Sequence, residues 1–171
     1  MRKVGKTMRI IGLDPGGTTG WSQLDFTVRD NVMEDVQWSF GLLGPEEHHT
    51  ALYNHLVDAD PGRVVCESFE YRKGLRDNVE LISREYIGVA KLFCSFEHVP
   101  LTMQTAAQGK GFWWPSDAKK DRVDRLKAVD LYQSKHEWRH ANDSTRHVLE
   151  FISGTPELAK TDYYLSLLRK L

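Results

Sequence analysis

Apolar positions alternate through the first third of the chain and afterwards recur every three or four residues, a change of period that separates strands from helices. The run Arg9-Ile-Ile-Gly-Leu-Asp14 predicts a strand over 9–14, the stretch Thr18-Thr-Gly-Trp-Ser22 with Leu24 and Phe26 a second over 18–27, and Val36-Gln-Trp-Ser-Phe-Gly-Leu42 a third. Following one another directly, these three are expected to pair antiparallel. Pro45-Glu-Glu opens a helix, with proline in the first turn, acids at the positive end of the dipole, and Leu52 and Leu56 sharing a face. A short buried strand follows, Arg63-Val-Val-Cys-Glu67. Residues 77–96 form the clearest helix: Val79, Ile82, Tyr86, Val89 and Phe93 make one stripe, and Leu81, Gly88, Leu92 and Phe96 another. Apolar on two sides, it is expected to be buried twice, against the sheet and against a partner subunit. Val99–Gln104 reads as an edge strand because Pro100 cannot donate to a ladder. Residues 105–116 read as irregular, and helices are expected over 117–135, 142–152 and 156–171. This order is that of an α/β protein with a five-stranded mixed sheet flanked by helices.

The 171 residues suit one domain with a core of its own, and 40% hydrophobic residues with five tryptophans exclude a disordered chain. No stretch approaches the roughly 18 apolar residues of a membrane span, and the first residues lack the apolar centre of a signal peptide, so a cytoplasmic protein with no membrane partner is expected. Residues 1–7 read as a flexible basic leader. Cys66 and Cys94 lack the spacing of a zinc site or a disulfide framework and read as small buried hydrophobes. The net charge of −1 hides a split. Residues 1–60 carry 5 Lys and Arg against 9 Asp and Glu, and residues 61–171 carry 18 against 15, which permits a phosphate-binding face in the second part.

The chemistry starts at Asp14, a carboxylate at a strand's exposed end, followed by the turn Pro15-Gly-Gly-Thr-Thr-Gly20. The glycines permit tight conformations and close approach, and neither a P-loop nor a dinucleotide fingerprint is present. Taken alone, Asp-Pro-Gly is also an ordinary turn. Glu67 closes a second strand, and Asp143 stands near a helix start within His140-Ala-Asn-Asp143. Three such acids brought together repel unless a cation joins them, and oxygen donors select Mg²⁺, with Mn²⁺ as a substitute. Two ions about 3.5–4 Å apart can activate water and stabilise the leaving oxygen in phosphodiester cleavage. His140, Asp143 and His147 share a helical face. Read alone, Asp143 would be a helix cap and the histidines surface residues.

Ile11-Gly-Leu-Asp-Pro-Gly16, Glu67 within Val-Val-Cys-Glu-Ser, and His140-x-x-Asp143 resemble, in order and spacing, the RuvC group of Holliday junction resolvases, especially its phage members. The resemblance spans about residues 8–152 and implies an RNase H-like nuclease domain there, with 153–171 as a C-terminal helical extension. It implies that Asp14, Glu67, His140 and Asp143 are metal-binding and catalytic. It further implies a Mg²⁺-dependent homodimer, joined through the helix at 77–96, that nicks a four-way junction in DNA recombination. For a phage-encoded protein the place of action would be the host cytoplasm. Cellular members wedge the junction with an aromatic at the offset that holds Glu70 here, so Phe69 and Tyr71 are the wedge candidates.

Arg72, Lys73 and Arg76 after the second acid, and Lys110, Lys119 and Lys120 before the third, are candidate phosphate contacts. Trp113 and Trp114, in a glycine-bounded loop, are candidates for stacking on unpaired bases, although such clusters more often fill a satellite core. Glu85 and His147 are candidates for supporting the acids from behind. Two other readings compete with the nuclease: a junction-binding protein of the same fold without catalysis, and, remotely, a nucleotide-phosphate-binding kinase or actin-like ATPase domain. The latter clamps nucleotide between two related domains, and 171 residues hold one.

Overall fold

The computed structural model of the chain describes residues 6–44, 48–69, 77–113 and 125–171. Five strands, β1 (Lys6–Asp14), β2 (Thr19–Arg29), β3 (Val32–Leu43), β4 (Arg63–Glu67) and β5 (Leu101–Gln104), form one sheet in the order β3-β2-β1-β4-β5. The first three pair antiparallel, and β4 and β5 continue parallel to β1. The expected mixed sheet is therefore observed, with β5 on the edge. The first strand begins earlier than the apolar run, because Lys6 and Thr7 still pair with Val28 and Thr27.

Strand alternation decides what lies on each face. Ile11 and Leu13 of β1, with Val64 and Cys66 of β4, meet Leu52 and Leu56 of α1 (His48–Ala59) and Tyr86, Ala90 and Phe93 of α2 (Asp77–Phe96). Ile10 and Val65 point the opposite way, onto Val148, Leu149 and Ile152 of α5 (Arg139–Gly154). The next residues of the same parity on that face are Gly12, Asp14 and Glu67. Because β1, β4 and β5 are parallel, their C-terminal ends share one rim of the sheet. Of the two apolar sides of α2, one fills this core; Leu92 and Phe96 on the other are 51% and 66% exposed. Cys66 and Cys94 are buried free thiols, and burial raises both, Cys94 to about 11. No described helix is long and apolar enough to cross a membrane.

Three expectations are corrected. Residues 105–116 are not wholly irregular: α3 (Ala106–Gly111) starts at a capping box in which Thr105 Oγ accepts from the Gln108 amide and the Gln108 side chain accepts from Thr105 N–H. Of the helix expected over 117–135, only α4 (Arg125–Ala128) lies among the described residues; it ends before Asp130, whose φ is 62°. Trp113 offers no face to a base. It is fully buried, with its ring 6.5 Å from that of Tyr164.

The segment after α5 is two short helices, α6 (Pro156–Ala159) and α7 (Asp162–Arg169), divided at Thr161, which caps α7 through its side chain. Leu158, Tyr164 and Leu167 enter the same core as Trp113, while Leu168 and Leu171 remain exposed. The segment is tied to the sheet by Asp162, which accepts from the Met33 amide, and by Trp38 Nε1, which donates to the Tyr163 hydroxyl at 2.8 Å. Tyr163→Phe should cost about 1 kcal/mol in denaturant unfolding, the net value of one hydrogen bond. No change would mean that the indole does not rely on this partner.

Candidate active site at the sheet rim

Two glycines let α5 reach the rim. A Cβ on Gly12 would lie 2.5 Å from the Ser144 carbonyl oxygen and 2.6 Å from a Val148 methyl, and one on Gly20 would strike the backbone at His140 and Ala141. Gly20 pairs with Asp14 across β1 and β2. The first turns of α5 therefore lie directly over the end of β1, with His140 and Asp143 beside Asp14. Gly20 was expected to serve turn conformation or a ligand; what it accommodates is this helix.

Asp14 is nearly buried, and His140 Nδ1 lies 2.6 Å from its Oδ2. Burial raises the Asp14 carboxyl above its ordinary value; the hydrogen bond from His140 opposes this, and the nearby charges of Glu67 and Asp143 add to the rise. Acids far apart in sequence thus share one electrostatic neighbourhood. Glu67 Oε2 is 2.8 Å from His147 Nε2. Asp143 is held by Lys110 Nζ at 3.1 Å and by the Arg146 guanidinium. Burial works against the Lys110 ammonium, but Asp143 first, then Glu67 and Asp14, raise its affinity for a proton. Lys110 was expected to flank the acids as a DNA contact. It stands among them, delivered by α3, the helix that the sequence pattern did not predict.

Among the described residues, no three His, Cys, Asp or Glu side chains are placed to hold an ion together, because each acid is turned to a neighbouring base. The donor set itself suits a hard divalent cation: three carboxylates and an imidazole, with Asp14 destabilised as an anion by the other two acids. A cation there would relieve that repulsion, as the Lys110 ammonium partly does.

The remaining candidates separate clearly. His147 is fully buried behind Glu67. Glu85 is not behind the acids: it is exposed and pairs with His49 of α1 at 2.9 Å. Phe69 packs partly into the core, with the Arg84 guanidinium 4.8 Å above its ring, so that face is covered. Tyr71, Arg72, Lys73, Arg76, Trp114, Lys119 and Lys120 lie outside the described residues. The sequence reading missed Gln104, at the end of β5 beside His147, and Gly109; the capping box from Thr105 was the available signal for the helix that carries Gly109 and Lys110.

The arrangement belongs to the RNase H-like class, with the fold of the RuvC-type junction resolvases. RuvC of Thermus thermophilus superposes with a TM-score of 0.58 at 17% identity over 84% of this chain and 92% of that one. The same enzyme in complex with a Holliday junction substrate gives 0.56 at 14% identity, covering 84% and 91%. The yeast mitochondrial Holliday junction resolvase Ydc2 gives 0.56 at 12% identity, covering 99% of this chain and 87% of that one. No protein-family model matches the sequence, and no curated protein matches it significantly.

Proposed function

We propose that this protein is a Mg²⁺-dependent, structure-selective endonuclease that nicks Holliday junctions and other branched DNA, with water as the nucleophile and no covalent enzyme intermediate. The observation that carries the reading is the convergence of Asp14, Glu67 and Asp143, from β1, β4 and α5, into a neighbourhood where each acid's charge is felt by Asp14. Asp14, Glu67, Asp143 and His140 would hold the metal, and Mn²⁺ should substitute. Bound Mg²⁺ supplies charge neutralisation at the phosphate and activation of water. The chain's own groups do the positioning. The His140 ring keeps a proton at Nδ1 on Asp14 and fixes that carboxylate's direction; Glu67 is fixed from behind by His147; Lys110 provides a mobile positive charge for a non-bridging phosphate oxygen. The exposed Leu92 and Phe96 on α2 support assembly as a homodimer, which would set two such sites for paired nicks.

The test is cleavage of a synthetic four-way junction, compared with a flap and a linear duplex of the same sequence. Nicking of the branched substrates that needs Mg²⁺ or Mn²⁺, with little action on duplex, is the expected result. Tight junction binding with no cleavage in either metal would assign the chain to the non-catalytic junction binders instead.

A further inference from the structure

Glu67 and Gln104 are register partners at the ends of β4 and β5, so their side chains leave the same face of the sheet side by side. Between them stands His147, with no exposed surface, its Nε2 2.8 Å from Glu67 Oε2 and its Nδ1 2.8 Å from Gln104 Oε1. Gln104 is itself buried. The far side of the ring lies against the backbone of α3 at Gly109, where a Cβ would sit 2.5 Å from Nδ1 and 2.7 Å from Nε2. Four elements of the fold thus close around one imidazole.

We infer that Gln104, His147 and Gly109 form a buried clamp that sets the orientation of the Glu67 carboxylate, making His147 and Gln104 positioning residues of the site; this rests on the nuclease reading above. The chemistry of each partner supports it. An ionised carboxylate only accepts, so Nε2 must carry a proton toward Glu67. Nδ1 then needs a partner that suits it, and the Gln104 amide, which can present either its oxygen or its NH₂, satisfies the ring in either charge state. An apolar residue at 104 would leave a buried ring nitrogen unpaired, and a carboxylate there would compete with Glu67 for the ring. Gly109 matters because a side chain would push the ring off its line to Glu67. Glu67 itself is only partly buried, and without the ring it would be free to turn its oxygens to solvent. Partners of this kind behind metal-ligating groups change metal affinity by about 10–100-fold when removed.

The experiment uses the full chain with His147→Leu, Gln104→Met and His147→Gln, reading Mn²⁺ affinity by calorimetry, kcat and KM on a four-way junction, and melting temperature in EDTA. His147→Leu should weaken Mn²⁺ binding by about 10–100-fold and lower kcat at limiting Mn²⁺, with KM for the junction unchanged. Gln104→Met should shift both in the same direction by less, and His147→Gln, whose amide can still donate to Glu67, should recover part of the loss. Where His147→Leu fails to fold, the other two variants decide. Lower melting temperatures with unchanged Mn²⁺ affinity and kcat would reduce the cluster to core packing and overturn the clamp alone. A wild-type chain that neither binds Mn²⁺ nor nicks would overturn the nuclease reading, and the clamp with it.

Discussion

Asp14→Asn abolishes nicking, by at least roughly a thousandfold or about 4 kcal/mol of transition-state stabilisation, while the folded chain still binds a four-way junction. The asparagine oxygen can still accept from His140, so the local hydrogen bond is kept; what is lost is the charge at the centre of the acid cluster. In EDTA the variant should also be at least as stable as the wild type at neutral pH. Burial, together with Glu67 and Asp143, raises the Asp14 carboxyl above the ordinary 3.8, against the pull of His140. The folded state therefore binds this proton more tightly than the unfolded chain. The contribution of the group to stability is greatest in acid and declines as pH rises from the ordinary value through the higher folded one. Asparagine lacks that decline. Other carboxylates titrate in both proteins and largely cancel in the difference, so the variant's advantage in melting temperature should open as pH rises through that window. Retained nicking in a clean preparation would remove Asp14 from the centre of the mechanism. A variant clearly less stable than the wild type at neutral pH would contradict the strain assigned to the buried anion.

Alternation made the sheet legible, because a strand covered on one side by α5 and on the other by α1 and α2 must place its apolar residues by parity, and the two acids close strands in the sequence itself. The spacing of His140, Asp143 and His147 placed all three near one helical face for the same kind of reason. Other features depend on contacts between distant residues, which periodicity does not encode. Glycine at 109 and 111 and lysine at 110 disguise α3 as a loop, although Thr105 and Gln108 cap it. Phe112-Trp113-Trp114 has the composition of a stacking platform, but Trp113 is covered by a segment some fifty residues later, at Tyr164. Lys110 has the charge of a phosphate contact and was counted with its basic neighbours; only the packing of α3 on α5 sets it among the carboxylates.

The turn glycines show how far a motif alone can mislead, and they give the second large prediction. Gly17 and Gly20 look equivalent in Pro-Gly-Gly-Thr-Thr-Gly, and conformational freedom would explain both. A Cβ built on Gly17 meets nothing within 4 Å, and its backbone is not left-handed. One built on Gly20 lies 2.5 Å from the Ala141 amide nitrogen and still nearer to the His140 carbonyl, atoms of a helix backbone that cannot rotate aside. Gly20→Ala must therefore lift the start of α5 by on the order of 1 Å, since packed backbone yields only as a unit. That should cost about 3 kcal/mol, the upper end of overpacking. It also carries His140 and Asp143 away from Asp14, and a misplacement of about 1 Å can lower the rate of nicking about a hundredfold. Gly17→Ala should stay within about 0.5 kcal/mol of the wild type in urea unfolding, or gain slightly from a less flexible unfolded chain, and should nick normally. Equal damage from both would return the glycines to a turn role and remove the close seating of α5 from the account of the site; damage from Gly20→Ala alone assigns that glycine to holding the third acid and its histidine against the first.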